Sequence, residues 1–255
     1  MTPTKATFKV LVFAAATLLA GCGAVLVNQG SKDESLTDGL KNPTKLAPKI
    51  VVPPDQALIG NFEDGTLHMN PKLYSSKAGL WSATTYGGTI NVPVVVPGGA
   101  NGTMWAMRVS GKLINKGDNT YPSFLLTGKF KPRGFYDASP FHGIRFYYKW
   151  PSDDQGTTRR FNIPIAATVP TSSGGTCTDG CSNHYGADLA KTDVWVQKQL
   201  AFTDLARRSG WGSPVTPPEF TEHLREIVDL EWMDSCDNTA GTYTMDYWVD
   251  EVEFY

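Results

Sequence analysis

Glu226, Asp229 and Glu231 lie within six residues of one another, ahead of Trp232 and downstream of Arg208 and Trp211. Two carboxylates placed across a glycosidic bond are what hydrolysis of that bond requires, one as acid and one as base or nucleophile. The spacing argues against that use. Side chains alternate along a strand, so Glu226, three residues before Asp229, cannot share a face with Asp229 and Glu231. No Gly-x-Ser-x-Gly elbow is present, and His68, His142, His184 and His223 stand in no catalytic spacing. Cys177 and Cys181 would need free thiols to act as nucleophiles. The expectation is a protein without catalysis, with a glycoside hydrolase as the lesser alternative.

Cys22 offers different chemistry. Lys5 and Lys9 precede the apolar run Val10–Leu19, and Leu19-Ala20-Gly21-Cys22 closes it. Ten apolar residues are too few to span a bilayer, which takes roughly 20, but they suit a signal peptide with small residues at the cut. The segment resembles a bacterial lipoprotein signal with its lipobox. The resemblance implies that residues 1–21 are removed and that Cys22 becomes a lipidated N-terminus and the membrane anchor. Gly23 in place of Asp favours the outer membrane of a cell envelope. Residues 22–54 contain no aromatic residue and carry scattered Lys, Ser and Pro, the composition of a disordered tether. The folded domain is expected over 55–255.

Removal of Lys5 and Lys9 leaves 21 basic against 25 acidic residues. Arg159-Arg160 and Arg207-Arg208 are isolated pairs, so no basic face for nucleic acid is formed. Three cysteines remain, Cys177, Cys181 and Cys236. An oxidising compartment favours disulfides, and an odd count leaves one thiol over. Cys177 and Cys181 could close a small ring, and Cys236 is an alternative partner for either. Cys177, Cys181, His184 and Cys236 are also compatible with zinc, but the spacing is no established finger pattern and zinc is not expected.

The elements that must position these groups are short strands. Asn91–Val96, Ser123–Phe130, Ile144–Trp150, Arg160–Ala166, Val194–Phe202, Ile227–Trp232 and Tyr243–Phe254 are β-branched and aromatic runs bounded by Gly, Pro, Asn and Asp. Only Pro218–Arg225 and Asp204–Arg208 read as helical. Such a pattern predicts an all-β sandwich or jelly roll. In the last strand, alternation places Trp248, Asp250, Val252 and Phe254 on one face. A carboxylate among core residues is costly unless paired or metal-bound. Glu63, in Asn61-Phe62-Glu63-Asp64-Gly65, would lie nearby if the first and last strands meet. Calcium, which takes oxygen ligands, is the expected occupant of Glu63 and Asp250. The alternative is that both acids are satisfied by backbone N–H groups.

Asn61-Phe62-Glu63, Trp81, Arg145–Tyr148, Trp195, Leu200–Leu205, Ile227–Trp232 and Trp248-Val-Asp-Glu-Val-Glu-Phe254 occur in that order. Over about residues 58–255 this series resembles carbohydrate-binding modules with the galactose-binding-like jelly roll, closest to the family 11 type. The resemblance implies a two-sheet antiparallel jelly-roll sandwich, a structural calcium ion and a concave face that holds a polysaccharide or oligosaccharide. A site for sugars needs aromatic platforms beside carboxylate, amide or guanidinium groups. Matching the landmarks gives Tyr86, Tyr121, Trp211 and Trp232 as platforms and Arg208 and Glu226 as polar partners. Trp195, Trp248 and Phe202 are assigned to the core.

Strand parity cuts across one part of that assignment. Glu226 and Trp232 share parity with Val228 and Leu230, which would turn them to the core and send Asp229 and Glu231 into the cleft unless a β-bulge intervenes. The long insert Pro170–Tyr185 could reshape or block the cleft. The function expected is a lipid-anchored, non-catalytic carbohydrate-binding protein. The alternative is a structural envelope lipoprotein that binds another protein.

Overall fold

The computed structural model describes residues 50–51, 57–70, 79–118, 122–130, 135–237 and 239–255. The signal segment, Cys22, most of the expected tether and Tyr121 lie outside these residues. Within the described residues no helix is long and apolar enough to cross a membrane.

The described chain is built on strands. In order they are Ile50–Val51 (β1), Leu58–Gly60 (β2), Leu80–Tyr86 (β3), Gly88–Ile90 (β4), Val94–Pro97 (β5), Trp105–Asn115 (β6) and Ser123–Lys129 (β7). There follow Tyr136–Asp137 (β8), Gly143–Lys149 (β9), Thr158–Ile163 (β10), Tyr185–Asp188 (β11), Val196–Ala201 (β12), Asp229–Ser235 (β13) and Gly241–Phe254 (β14). Five of them form one antiparallel sheet in the order β11-β10-β13-β7-β3. A second sheet runs β12-β9-β14-β6-β4, with β2 added on β14 and β5 on β6. Both are antiparallel throughout, and the two pack face to face as the expected sandwich. β1, within the segment expected as tether, pairs in parallel with β8.

Alternation explains how the five-stranded sheet divides its residues. Leu230, Trp232 and Asp234 of β13 are buried on the inner side, and Asp229, Glu231, Met233 and Ser235 face the other way. Trp232 is fully buried, 4.8 Å from Phe161, 5.1 Å from Phe146 and 5.6 Å from Trp81 between ring centroids. Sealing rings of this size from water is what stabilises the sandwich, at about 1.5–3 kcal/mol for each large side chain. Trp232 is therefore a core residue and not a sugar platform, as strand parity had indicated.

Each of the seven predicted runs overlaps a strand (β5, β7, β9, β10, β12, β13 and β14), with ends displaced by up to three residues. The helical runs reduce to 3-10 turns at Phe202–Asp204 and Phe220–His223. β6 was not anticipated, because Gly111 interrupts its alternation of Met107, Val109 and Leu113 with Arg108, Ser110 and Lys112. The glycine is needed there for space. A Cβ at Gly111 would lie 2.3 Å from the Thr89 carbonyl oxygen and 2.7 Å from the Phe124 ring.

β14 departs from simple alternation. Met245, Tyr247 and Val249 are buried in the core, and beyond them Val252 and Phe254 are buried, so the inner face changes parity partway along. The break is a bulge. Glu251 has φ 45°, and the register against β9 shifts between Asp250 and Glu253. An extra residue in a left-handed conformation does this by letting two residues oppose one. Trp248 and Asp250 consequently face outward from the seven-stranded sheet instead of sharing a face with Val252 and Phe254. Trp248 and Trp195 do not belong to the core. They meet edge to face at 6.3 Å on the outer side, with Lys149 Nζ 4.1 Å and 4.6 Å from their centroids. Phe202 is in the core as expected.

Candidate functional site

The outward residues of β7, β10 and β13 form the floor of a cleft of about 810 Å³. The strand register sets them in rows. Asn162, Glu231 and Thr127 are cross-strand neighbours, as are Arg160, Met233 and Leu125 in the next row and Thr158, Ser235 and Ser123 in the one after. One wall is the insert at Ser182, Asn183 and His184, and the rim carries Arg208 and Trp211. The insert expected to reshape or block a concave face thus lines it and leaves it open.

A chain of hydrogen bonds crosses the floor. Arg160 Nε donates to Asn162 Oδ1 (2.8 Å), and Asn162 Nδ2 donates to Glu231 Oε1 (2.8 Å). At the rim, Arg160 Nη1 and Arg208 Nη2 each donate to Asp188 Oδ1 (3.1 Å). The chain fixes the Asn162 amide orientation, because its oxygen must face the guanidinium and its NH₂ the carboxylate. It also requires glycine at 186, opposite Asn162. A Cβ there would lie 2.5 Å from Asn162 Oδ1 and 2.1 Å from the Phe161 carbonyl oxygen.

Burial governs the electrostatics of the floor. It pushes the Glu231 carboxyl up to about 7, against the Asn162 hydrogen bond and with help from the charge of Asp229. It raises Asp229 to about 6, opposed by Lys129. It also drives His184 down to about 4, together with the charges of Arg207 and Arg160, so the ring is neutral at pH 7. The floor therefore offers one amide, one carboxyl group near its midpoint and several hydroxyls to a ligand, with Trp211 half-exposed above them.

The predicted site residues separate into two groups. Arg208 and Trp211 line the cleft. Tyr86 is exposed at the end of edge strand β3, opposite Ser123 in register and on the face that Ser123 presents to the cleft. Tyr121 lies outside the described residues. Glu226 is not in the cleft. It precedes β13, where its carboxylate sits 3.6 Å from His223 Nδ1 and its carbonyl accepts from Ala166 N. Trp232 is in the core. Arg160, Asn162, Asn183 and Glu231 were not among the site residues, although parity had already sent Glu231 outward.

Glu63 and Asp250 do converge, on the loop at 98–105. Asp250 Oδ2 accepts from Ala100 N (2.8 Å) and Thr103 Oγ1 (2.7 Å), and Oδ1 accepts from Glu251 N (2.8 Å). Glu63 Oε1 accepts from Met104 N (2.9 Å) and Trp105 N (2.8 Å). These oxygens are turned to N–H and O–H donors, which a calcium ion would have to displace, so the donor set as built does not fit the ion. Within the described residues no group of three or more His, Cys, Asp or Glu gathers as a metal site.

Cys177 and Cys181 are joined in a disulfide, and Cys236 is a buried free thiol at the edge of the cleft. The bond takes two of the thiolates that zinc would need. His184 Nδ1 meanwhile contacts Thr168 Oγ1 at 2.8 Å.

Comparison with solved structures places the fold. The family 11 carbohydrate-binding module of the cellulosomal cellulase Lic26A-Cel5E of Clostridium thermocellum superposes with a TM-score of 0.50 at 18% identity, covering 77% of this chain and 92% of that one. The family 11 module from Clostridium thermocellum in complex with a β-1,3-1,4-mixed-linked tetrasaccharide gives 0.50 at 17% identity, covering 78% and 94%. The chain has the jelly-roll sandwich of these modules. No protein-family model and no curated protein sequence matches it.

Proposed function

We propose that this protein binds a polysaccharide segment in the cleft on its five-stranded sheet, without cleaving it, while held at a membrane through lipid on Cys22. The observation that supports the reading best is the floor itself. The aligned Arg160–Asn162–Glu231 chain shares the cleft with a half-exposed indole at Trp211. A pyranose presents apolar C–H faces ringed by hydroxyls, and this cleft sets an aromatic face against a row of fixed polar groups. An ordered amide and carboxyl in a partly dehydrated trough discriminate by hydrogen bonding, since a wrong ligand leaves them unpaired. The fold shared with carbohydrate-binding modules supports the same reading, as does the lipobox at Leu19–Cys22.

Retardation in native gels containing soluble polysaccharide tests the function. Mixed-linked β-glucan is the first probe, and a panel of envelope glycans the second. The expected result is retardation by at least one polysaccharide, weakened about tenfold or more in Trp211→Ala. No retardation by any glycan, with a protein co-purifying instead, would replace this reading with that of a protein-binding envelope lipoprotein. Palmitate labelling that persists in Cys22→Ser would remove the anchor.

A further inference from the structure

We propose that Asn183, backed by the disulfide-closed insert, is the positioning residue that fixes Trp211 and Arg208 over the cleft. This assignment rests on the cleft being the ligand site. Asn183 is almost completely buried, and its amide is spent entirely on the backbone of one loop. Nδ2 donates to the carbonyls of Arg208 (2.7 Å) and Trp211 (2.7 Å), and Oδ1 accepts from Arg208 N (3.0 Å). Both N–H donors and one acceptor site of the oxygen are committed to that backbone. Its role is therefore to hold the loop.

The insert is tied to the same loop at three further points. Arg207 Nε donates to the Asn183 carbonyl (2.8 Å), and its Nη2 to that of Ser213 (2.6 Å). Ser213 N donates to the Gly180 carbonyl (3.0 Å), and its Oγ to that of Asp179 (2.8 Å). Asp179 and Gly180 lie inside the ring closed by Cys177–Cys181. Two glycines let the segments touch. A Cβ at Gly212 would lie 2.7 Å from the Asn183 Cβ, and one at Gly180 would lie 2.5 Å from Ser213 N.

The indole of Trp211 is half-exposed, so its own packing does little to fix it. Its position is set through its backbone. An exposed platform on a free loop pays an ordering cost when ligand binds, and holding it in advance removes that cost. Asn183→Ala is expected to leave the sandwich folded and to lower affinity for the retained polysaccharide about tenfold. In a Trp211→Ala background the same substitution is expected to lower it by about threefold or less, because only Arg208 remains for it to position. Penalties that simply add would overturn the assignment.

Hydrogen exchange supplies a readout that needs no ligand. Amides of 207–213 in Asn183→Ala are expected to lose protection at least tenfold, with β13 unchanged. Unaltered loop exchange would refute the brace even if no polysaccharide is found. If the loop loosens while wild type is retarded by no glycan, the brace stands and the carbohydrate reading falls. Should Asn183→Ala fail to fold, the paired Cys177→Ser and Cys181→Ser variant carries both measurements, with the same outcomes expected.

Discussion

Asp250 on β14 and Glu231 on β13 are both acids drawn out of bulk water, one on each sheet. Asp250 receives three donors from the loop it faces and its neighbour Glu251. Glu231 receives one, from Asn162, among the described residues. Burial raises both, Asp250 to about 6 and Glu231 to about 7. The difference lies in what remains to each carboxylate. At the loop, the acids have become fastenings for backbone that would otherwise leave N–H groups unpaired. At the cleft, acceptor capacity is left facing a void large enough for a ligand. A chain that keeps one half-buried carboxylate undersupplied while saturating a fully buried one has separated holding its fold from holding something else.

The largest expected effect breaks the saturated side. Asp250→Ala strands the Ala100 N–H and removes the acceptor of Glu251 N, while the Thr103 hydroxyl keeps the Ala100 carbonyl, and should cost about 2–4 kcal/mol in chemical unfolding. The folded fraction should still be retarded by polysaccharide. Loss of binding without loss of stability would show that the loop, too, serves the ligand.

Glu231→Gln should act in the opposite sense, weakening glycan retention about tenfold, or ~1.4 kcal/mol, with little harm to the fold. Its pH behaviour sharpens the contrast. The folded carboxyl titrates above its ordinary value of 4.5, so the folded state binds the proton more tightly than the unfolded one. Its contribution to stability is full below about pH 4.5 and falls as pH rises towards about 7. Stability measured across that window should decline in wild type and decline less in Glu231→Gln. Equal slopes would place the proton elsewhere.

The smallest effect concerns metal. With Glu63 and Asp250 engaged by N–H and O–H donors, chelation by EDTA should leave the melting midpoint unmoved. An ion held at a hundredfold excess over its Kd would instead contribute ~2.7 kcal/mol, which chelation would remove.

Much of the architecture was legible because hydrophobic alternation is a local signal. β7, β9, β13 and β14 announce themselves by it. β6 did not, since Gly111 answers to Thr89 and Phe124, which are distant in sequence. The phase of β14 was misread because nothing in Trp248-Val-Asp-Glu-Val marks Glu251 as left-handed. In the site, Arg208 and Trp211 were found through family landmarks. Trp232 was misplaced by them, where parity alone gave the right face. Asn162 and Asn183 were invisible for a physical reason. An asparagine is defined by the partners of its amide, and here those partners lie on other strands and loops.

The bulge at Glu251 acts as a phase shifter within one strand. Before it the even-numbered residues look outward, and after it they look inward, so β14 serves two different neighbourhoods without a turn between them. Deleting that one residue would not merely shorten β14. It would exchange inside for outside over its last residues, exposing Val252 and Phe254 or else driving Trp248 and Asp250 into the aromatic core.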